Sequence, residues 1–276
     1  MVPERGAPRV APPGWLVAEW RLLLVALQFL TRLPVSPGGV YEPAWLNRSA
    51  RHFPLVGALV GALGAAVLAA AATVWPPTVA ALLALVATVV ITGAFHEDGL
   101  ADTFDALGGT VSRERALAIM KDSRIGSYGA AALVLTLAGR TALMAALCAQ
   151  GAAQAAAAVV LAHAWGRATA VLLMAGLPYA GDAEHAKAKP LATAVGPAEW
   201  RVALGWAMVV AAGLAWAGAL APARAGVALA AAALVLWAMR RWLRPRLGGY
   251  TGDTLGATEQ LTELAVLLVL AAEVAG

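Results

Sequence analysis

From Phe53 to Phe95 the chain runs 43 residues without Lys, Arg, Asp or Glu. A membrane-crossing helix takes roughly 20 apolar residues, so this stretch predicts two helices, broken at Trp75-Pro76-Pro77. Gly129 to Leu177 predicts two more, broken near Ala149 to Gln154, with Arg140 and Arg167 embedded. Val202 to Leu220 predicts a fifth, and Val227 to Met239 a shorter sixth that begins near Pro222. Leu261 to Val274 predicts a seventh, carrying Glu263 and Glu273. Upstream, Leu16, Trp20, Leu23, Leu24, Leu27 and Leu30 recur at helical spacing within Trp15 to Leu33, with Glu19 and Arg21 among them. That pattern predicts an amphipathic helix lying at the membrane interface rather than crossing it. Residues 1–14 hold four prolines and three charged residues and read as a disordered lead-in, not a cleavable signal. Residues 15–276 read as one integral-membrane domain.

Composition agrees with this pattern. Of 276 residues, 61% are apolar and 13% charged, with a mean hydropathy of +0.74. A soluble chain is nearer half apolar and a quarter charged, and disorder needs the opposite balance. The fold class is therefore all-α: a polytopic membrane bundle of about seven transmembrane helices plus the N-terminal interfacial helix. The lone Cys148 excludes an intrachain disulfide and a Cys-based zinc site.

A net charge of +4 records where the loops sit rather than a nucleic-acid partner, because the basic residues cluster in particular connections. His96–Tyr128 holds Arg113, Arg115, Lys121 and Arg124; Pro178–Arg201 holds Lys187, Lys189 and Arg201; Arg240–Gln260 holds Arg240, Arg241, Arg244 and Arg246. Arg48 and Arg51 precede the first span. With seven spans all of these share one side, which the positive-inside rule makes cytoplasmic.

The acids point to chemistry on that side. Glu97, Asp98, Asp102 and Asp105 put four of the chain's 16 acids into nine residues at a membrane boundary. Asp98, Asp102 and Asp105 stand at i, i+4 and i+7, within roughly 60° of arc on one helix face. Carboxylates so placed repel one another unless a cation sits between them, and hard oxygen donors suit Mg²⁺ or Mn²⁺ gripping a phosphate. The bland alternative is a solvated acidic face. In the same connection, Arg113, Lys121 and Arg124 suit a substrate bearing several phosphates, while Ser123, Gly126 and Gly129 allow a turn with exposed backbone N–H groups. Arg140 and Arg167 lie about ten to twelve residues inside their spans, roughly 15–18 Å deep at helical rise. Charge at that depth faces a partner or a cavity: an anionic substrate or a membrane-facing acid. Asp253, in a glycine-rich stretch with Thr251, either completes a metal site or orients a hydroxyl nucleophile.

Taken together these segments resemble the cobalamin synthase family, the adenosylcobinamide-GDP ribazoletransferases. The resemblance is carried by Phe29-Leu30-Thr31-Arg32-Leu33-Pro34, Phe53-Pro54-Leu55-Val56-Gly57 and the His96–Gly109 stretch. It continues through Arg113-Glu114-Arg115, Ile119 to Gly126, Gly166-Arg167, Pro178-Tyr179-Ala180 and Gly249 to Ala257. The matches fall in order over nearly the whole chain. Glu97 departs from the family pattern, which favours an apolar or neutral residue, and is given no direct role. The resemblance implies transfer of a phosphoryl group: adenosylcobinamide-GDP and α-ribazole, or its 5′-phosphate, give adenosylcobalamin, or its 5′-phosphate, and GMP. It implies Mg²⁺ held by Asp98, Asp102 and Asp105. Arg113, Lys121, Ser123, Arg124, Gly126, Thr31, Arg32 and Thr251 would contact substrate, with Arg167 helping from inside the bundle, and Asp122 or Asp253 would be the base. It further implies a bacterial inner-membrane enzyme, in contact with lipid, working on the cytoplasmic side beside other late cobalamin-pathway enzymes.

Two other readings remain open from sequence. A CDP-alcohol phosphatidyltransferase also uses an acid-rich helix, but its D-G-x-x-A-R pattern differs from Asp98-Gly99-Leu100-Ala101-Asp102-Thr103. A metal-ion transporter would place acids inside the membrane, and no internal repeat supports one.

Overall fold

The computed structural model describes residues 14–38, 42–181 and 192–272. Prolines and glycines set the helix boundaries. Helix α1 (Trp15–Leu30) buries Leu22, Val25, Ala26 and Leu30 and leaves Trp15, Leu16, Val17 and Trp20 exposed. At 16 residues it falls short of a full crossing, in keeping with an interfacial position. A short helix α2 (Pro43–Ser49), a 3₁₀ turn (Ala50–His52) and α3 (Phe53–Ala71) follow one another closely, and Ala44–Ala71 forms one apolar rod of 28 residues.

Pro77 opens α4 (Pro77–Thr92), where a missing N–H costs nothing. Helix α5 (Phe95–Leu107) leaves α4 at 90°. The corner is a Schellman turn: Gly93 N–H donates to the Val90 carbonyl at 3.2 Å and Ala94 N–H to the Val89 carbonyl at 2.9 Å. Gly93 (φ 71°) and Ala94 (φ 59°) are both left-handed, a conformation that costs an L residue such as Ala94 roughly 1–2 kcal/mol. A Cβ on Gly93 would also lie 2.0 Å from the Arg32 Nε. The remaining helices are α6 (Arg113–Ile119), α7 (Ser127–Gln150), α8 (Ala152–Gly176), α9 (Pro197–Trp216), α10 (Pro222–Leu247) and α11 (Gly252–Ala271). Among the described residues there is no strand, only an isolated bridge between Tyr179 and Tyr250.

Six helices are long and apolar enough to cross a membrane, and a seventh crossing is reached if bent α4–α5 counts as one. The central element is α8, whose span is 89% buried against 22% for α7. Its closest neighbour is α3, because Gly57 and Gly61 let the two backbones meet: Cβ atoms there would lie 2.3 Å from the His163 carbonyl oxygen and 2.8 Å from the Val160 Cα. Small residues one turn apart are the usual device for close helix packing in lipid.

The main departure from the sequence reading is the third connection. Arg240–Gln260 is not a polar loop but the end of α10, a four-residue turn and the start of α11. Gly248 ends α10 in the left-handed region (φ 73°), and Thr251 starts α11 with a capping box, its hydroxyl accepting from the Thr254 N–H while the Thr254 hydroxyl accepts from Thr251 N–H. The seventh span therefore begins nine residues earlier than Leu261 and carries Glu259 as well as Glu263. Residues 1–13, Lys187, Lys189 and Glu273, on which the lead-in and charge counts drew, lie outside the described residues.

Candidate active site

Helix α5 sorts its acids by side. Glu97 is buried while its neighbour Asp98 is exposed, and Asp102 and Asp105 are half-buried. The helix packs on α11 through glycine: a Cβ on Gly99 would lie 2.7 Å from the Asp253 carbonyl oxygen, and one on Gly256 3.3 Å from the Gly99 Cα. Asp253, in the first turn of α11, is thereby brought beside the helix that carries Asp98 and Asp102. Sequence separation between these acids is more than 150 residues, and the crossing of α5 with α11 removes it.

Asp105 has a structural task that its spacing did not imply. The N-cap of α7 is Gly126, which has no side chain to offer. Asp105 supplies the cap from α5, accepting the Gly126 N–H at 2.7 Å and the Gly129 N–H at 2.8 Å. A Cβ at either glycine would run into that carboxylate, at 2.4 and 2.3 Å. Among the described residues no three Asp, Glu, His or Cys side chains gather into a group able to hold a metal. Of the three carboxylates expected to hold a metal, Asp98, Asp102 and Asp105, the third ties α5 to α7, because a helix starting at glycine needs an acceptor from elsewhere.

The basic candidates divide as well. Arg113 donates to the Leu247 carbonyl at 2.8 Å and the Ala180 carbonyl at 3.1 Å. Pro178–Ala180 meets Tyr250 through hydrogen bonds from Tyr250 N–H to the Pro178 carbonyl and from Ala180 N–H to the Tyr250 carbonyl, so Arg113 braces that junction. Arg246 likewise donates to the carbonyls of Leu107 and Gly109 at the end of α5. Thr31 turns back on the Leu27 carbonyl at 2.6 Å, while the Thr251 hydroxyl caps α11 and donates to the Met120 Sδ at 3.6 Å. Arg32 is exposed at the α4–α5 corner, where its main-chain N–H donates to the Ile91 carbonyl. Lys121, Ser123 and Arg124 are exposed on the segment between α6 and α7. There Arg124 grips Asp122 through Nε at 2.9 Å and Nη2 at 2.5 Å, and this fork holds the Asp122 carboxyl down at about 2, below its ordinary 3.8.

Arg140 and Arg167 both pair with buried acids. Arg167 pairs with both Glu259 and Glu263. Arg140 pairs with Glu263, donates to Gln260 Oε1 at 2.6 Å and lies 3.6 Å from Glu97 Oε1. Gln260 in turn donates to Glu97 at 3.1 Å, and His96 Nε2 lies 2.9 Å from Glu259. His163 Nδ1 stands 3.5 Å from Glu263. Arg167, expected to reach substrate from inside the bundle, stands in an ion network joining α5, α7, α8 and α11 and also lines a pocket with His96 and Glu259. One signal in the sequence pointed here: two deep arginines require acids, and Glu259 and Glu263 are four residues apart beside an apolar run.

Residues 22–271 match the family model described as cobalamin-5-phosphate synthase. The chain belongs to this family. Its relatives extend the match over almost the full length. A protein of Leptothrix cholodnii named adenosylcobinamide-GDP ribazoletransferase is 55% identical over 253 residues, covering 92% of this chain and 96% of the relative. Proteins of the same name from Shewanella amazonensis and Vibrio vulnificus are 42% and 39% identical, covering 91% and 93% of this chain and 95% and 97% of their own. No solved structure matches the chain significantly. The α5–α11 crossing is where the segments carrying the resemblance meet: the His96–Gly109 stretch lies against Gly249–Ala257, and Tyr250 joins the latter to Pro178–Ala180.

Proposed function

We propose that this chain is an adenosylcobinamide-GDP ribazoletransferase of the bacterial inner membrane, with its active site at the cytoplasmic ends of α5 and α11. The observation that carries the reading is the match of 250 residues, 22–271, to the family, with an acidic helix face at the crossing those residues build. The substrates are adenosylcobinamide-GDP and α-ribazole or its 5′-phosphate. A ribose hydroxyl attacks the phosphorus nearer the corrinoid, the bridging P–O bond breaks, and GMP leaves with the electron pair.

The donor set fits Mg²⁺ in part. Mg²⁺ is commonly held by one or two carboxylates together with substrate phosphates, and Asp98 and Asp102 supply two on one face. Bound there, the ion would neutralise charge on the pyrophosphate. Asp253, brought beside α5 by the crossing, orients the attacking hydroxyl and takes its proton. Asp122 suits that role less well, since both its oxygens already accept from Arg124. Lys121 and Arg124 face solvent near the acidic helix and stabilise the leaving phosphate, while Arg113 and Arg167 act by holding the frame. Membrane lipid surrounds the bundle, and other late-pathway enzymes would meet it at the same cytoplasmic face.

The test is GMP release by the purified, detergent-solubilised protein given adenosylcobinamide-GDP, α-ribazole and Mg²⁺, beside Asp98→Asn. Metal-dependent GMP with a matching cobalamin product, lost in the variant, is expected. A folded protein yielding no GMP with either form of ribazole, in lipid as well as detergent, overturns the assignment.

A further inference from the structure

We propose that the end of the bundle opposite the α5–α11 crossing binds the phosphate of an anionic phospholipid, through Arg224. A cavity of about 400 Å³ opens there among the end of α7, the start of α8, the α9–α10 turn and the end of α11. That is within the usual range for small-molecule sites. Its walls are mostly apolar, with Leu147, Ala158, Ala215, Leu220 and Leu270, and its polar side chains are Gln154 and Arg224.

Charge makes this cavity unusual. The basic residues of the described chain crowd toward the α5 end, as the distribution over its connections requires. Arg224 is the one charged residue among the described residues at the other end, where a basic side chain is disfavoured. Among the described residues, none lining the cavity is acidic. Arg224 Nη1 donates to the Leu270 carbonyl at 3.3 Å, at the last turn of α11, a contact that engages one of five guanidinium donors. The starts of α8 and α10 at Ala152 and Pro222 turn their positive ends to the same region. A half-buried guanidinium with donors to spare, two positive helix ends and apolar walls at a membrane boundary fit a phosphate joined to acyl chains better than a hydrated free ion.

The test uses the whole purified chain in detergent, titrated with phosphatidylglycerol, phosphatidylcholine or inorganic phosphate and followed by native mass spectrometry. Phosphatidylglycerol should bind saturably and phosphatidylcholine at least tenfold more weakly. Arg224→Gln should weaken phosphatidylglycerol roughly 10- to 100-fold, the equivalent of a charge-assisted hydrogen bond. Ala215→Leu, which fills the cavity and leaves every charge in place, should weaken it also and decides the matter if Arg224→Gln does not fold. Equal binding by wild type and a folded Arg224→Gln overturns the proposal. So do unchanged binding by Ala215→Leu, equal binding of the two lipids, and displacement of phosphatidylglycerol by equimolar phosphate.

Discussion

Replacing Arg167 with Gln should be far more damaging than replacing its partner Glu259 with Gln. The buried network holds three carboxylates, Glu97, Glu259 and Glu263, against two guanidiniums, Arg140 and Arg167. Histidines apart, it carries one surplus negative charge. Glu259→Gln removes that surplus and leaves two charges of each sign, and the amide can still hydrogen-bond Arg167 and His96. Its cost should be that of an ordinary buried hydrogen bond, about 0.5–1.5 kcal/mol. Arg167→Gln leaves three carboxylates facing one guanidinium, in a site where Glu259 and Glu263 are each about 1% exposed or less. Breaking a buried pair from one side costs about 3–5 kcal/mol. The gap between the variants, about 3 kcal/mol, corresponds to roughly 6–12 °C in unfolding temperature for a chain of this size.

The single Cys148, half-buried in α7, provides the assay. A thiol-reactive fluorophore reports its exposure as the detergent-solubilised protein is heated, with all variants scanned at one rate because such unfolding is under kinetic control. The double variant Arg167→Gln/Glu259→Gln restores the original surplus of one and should recover part of the loss, with a coupling of about 0.5–3 kcal/mol. An Arg167→Gln protein as stable as Glu259→Gln, or a double variant worse than both, would refute the reading that charge balance holds these four helices together.

Asp105→Ala removes the acceptor at the start of α7 and should cost about 1–2 kcal/mol, seen in the same thermal assay. Its requirement for Mg²⁺ should be unchanged, whereas in Asp98→Asn the GMP release lost at the wild-type Mg²⁺ concentration should return only at higher Mg²⁺. Equal shifts in both variants would return Asp105 to the metal site. At the surface, Asp122 is held below its ordinary value by Arg124. A lowered folded value adds stability that is present above about pH 4 and lost as pH falls toward 2. Arg124→Gln should flatten the dependence of unfolding temperature on pH across that window, and the carboxyl, read by carbon NMR, should return toward 3.8.

Most of the helices were legible because lipid leaves the chain little freedom: a long uncharged run must be helical to satisfy its own backbone, and Pro76-Pro77 or Gly151 must interrupt it. The boundary of the last span was not legible from hydropathy. Arg240 to Gln260 is too polar to resemble a crossing, yet Glu259 and Gln260 are buried in a helix long and apolar enough to cross, because each has a partner on another helix, His96 and Arg167 for the one and Arg140 and Glu97 for the other. Hydropathy scores a residue alone and cannot register a partner more than ninety residues away.

The same limit explains the candidate site. The spacing of Asp98, Asp102 and Asp105 puts them on one face of α5, but only the neighbouring start of α7 shows what Asp105 is for. A glycine at an N-cap creates a demand that some other residue must meet, and Asp105 meets it twice. Glu97 and Asp98 carry the argument furthest. They are adjacent and chemically alike, and 100° of helix sends Glu97 to Arg140 and Gln260 inside the bundle and Asp98 to the exposed face. One pins α5 to the membrane core and the other is left available to chemistry. A helix that must present carboxylates at a bilayer surface without being expelled into water needs such an inward anchor, and here the anchoring charge sits one residue from the acid proposed to hold the metal.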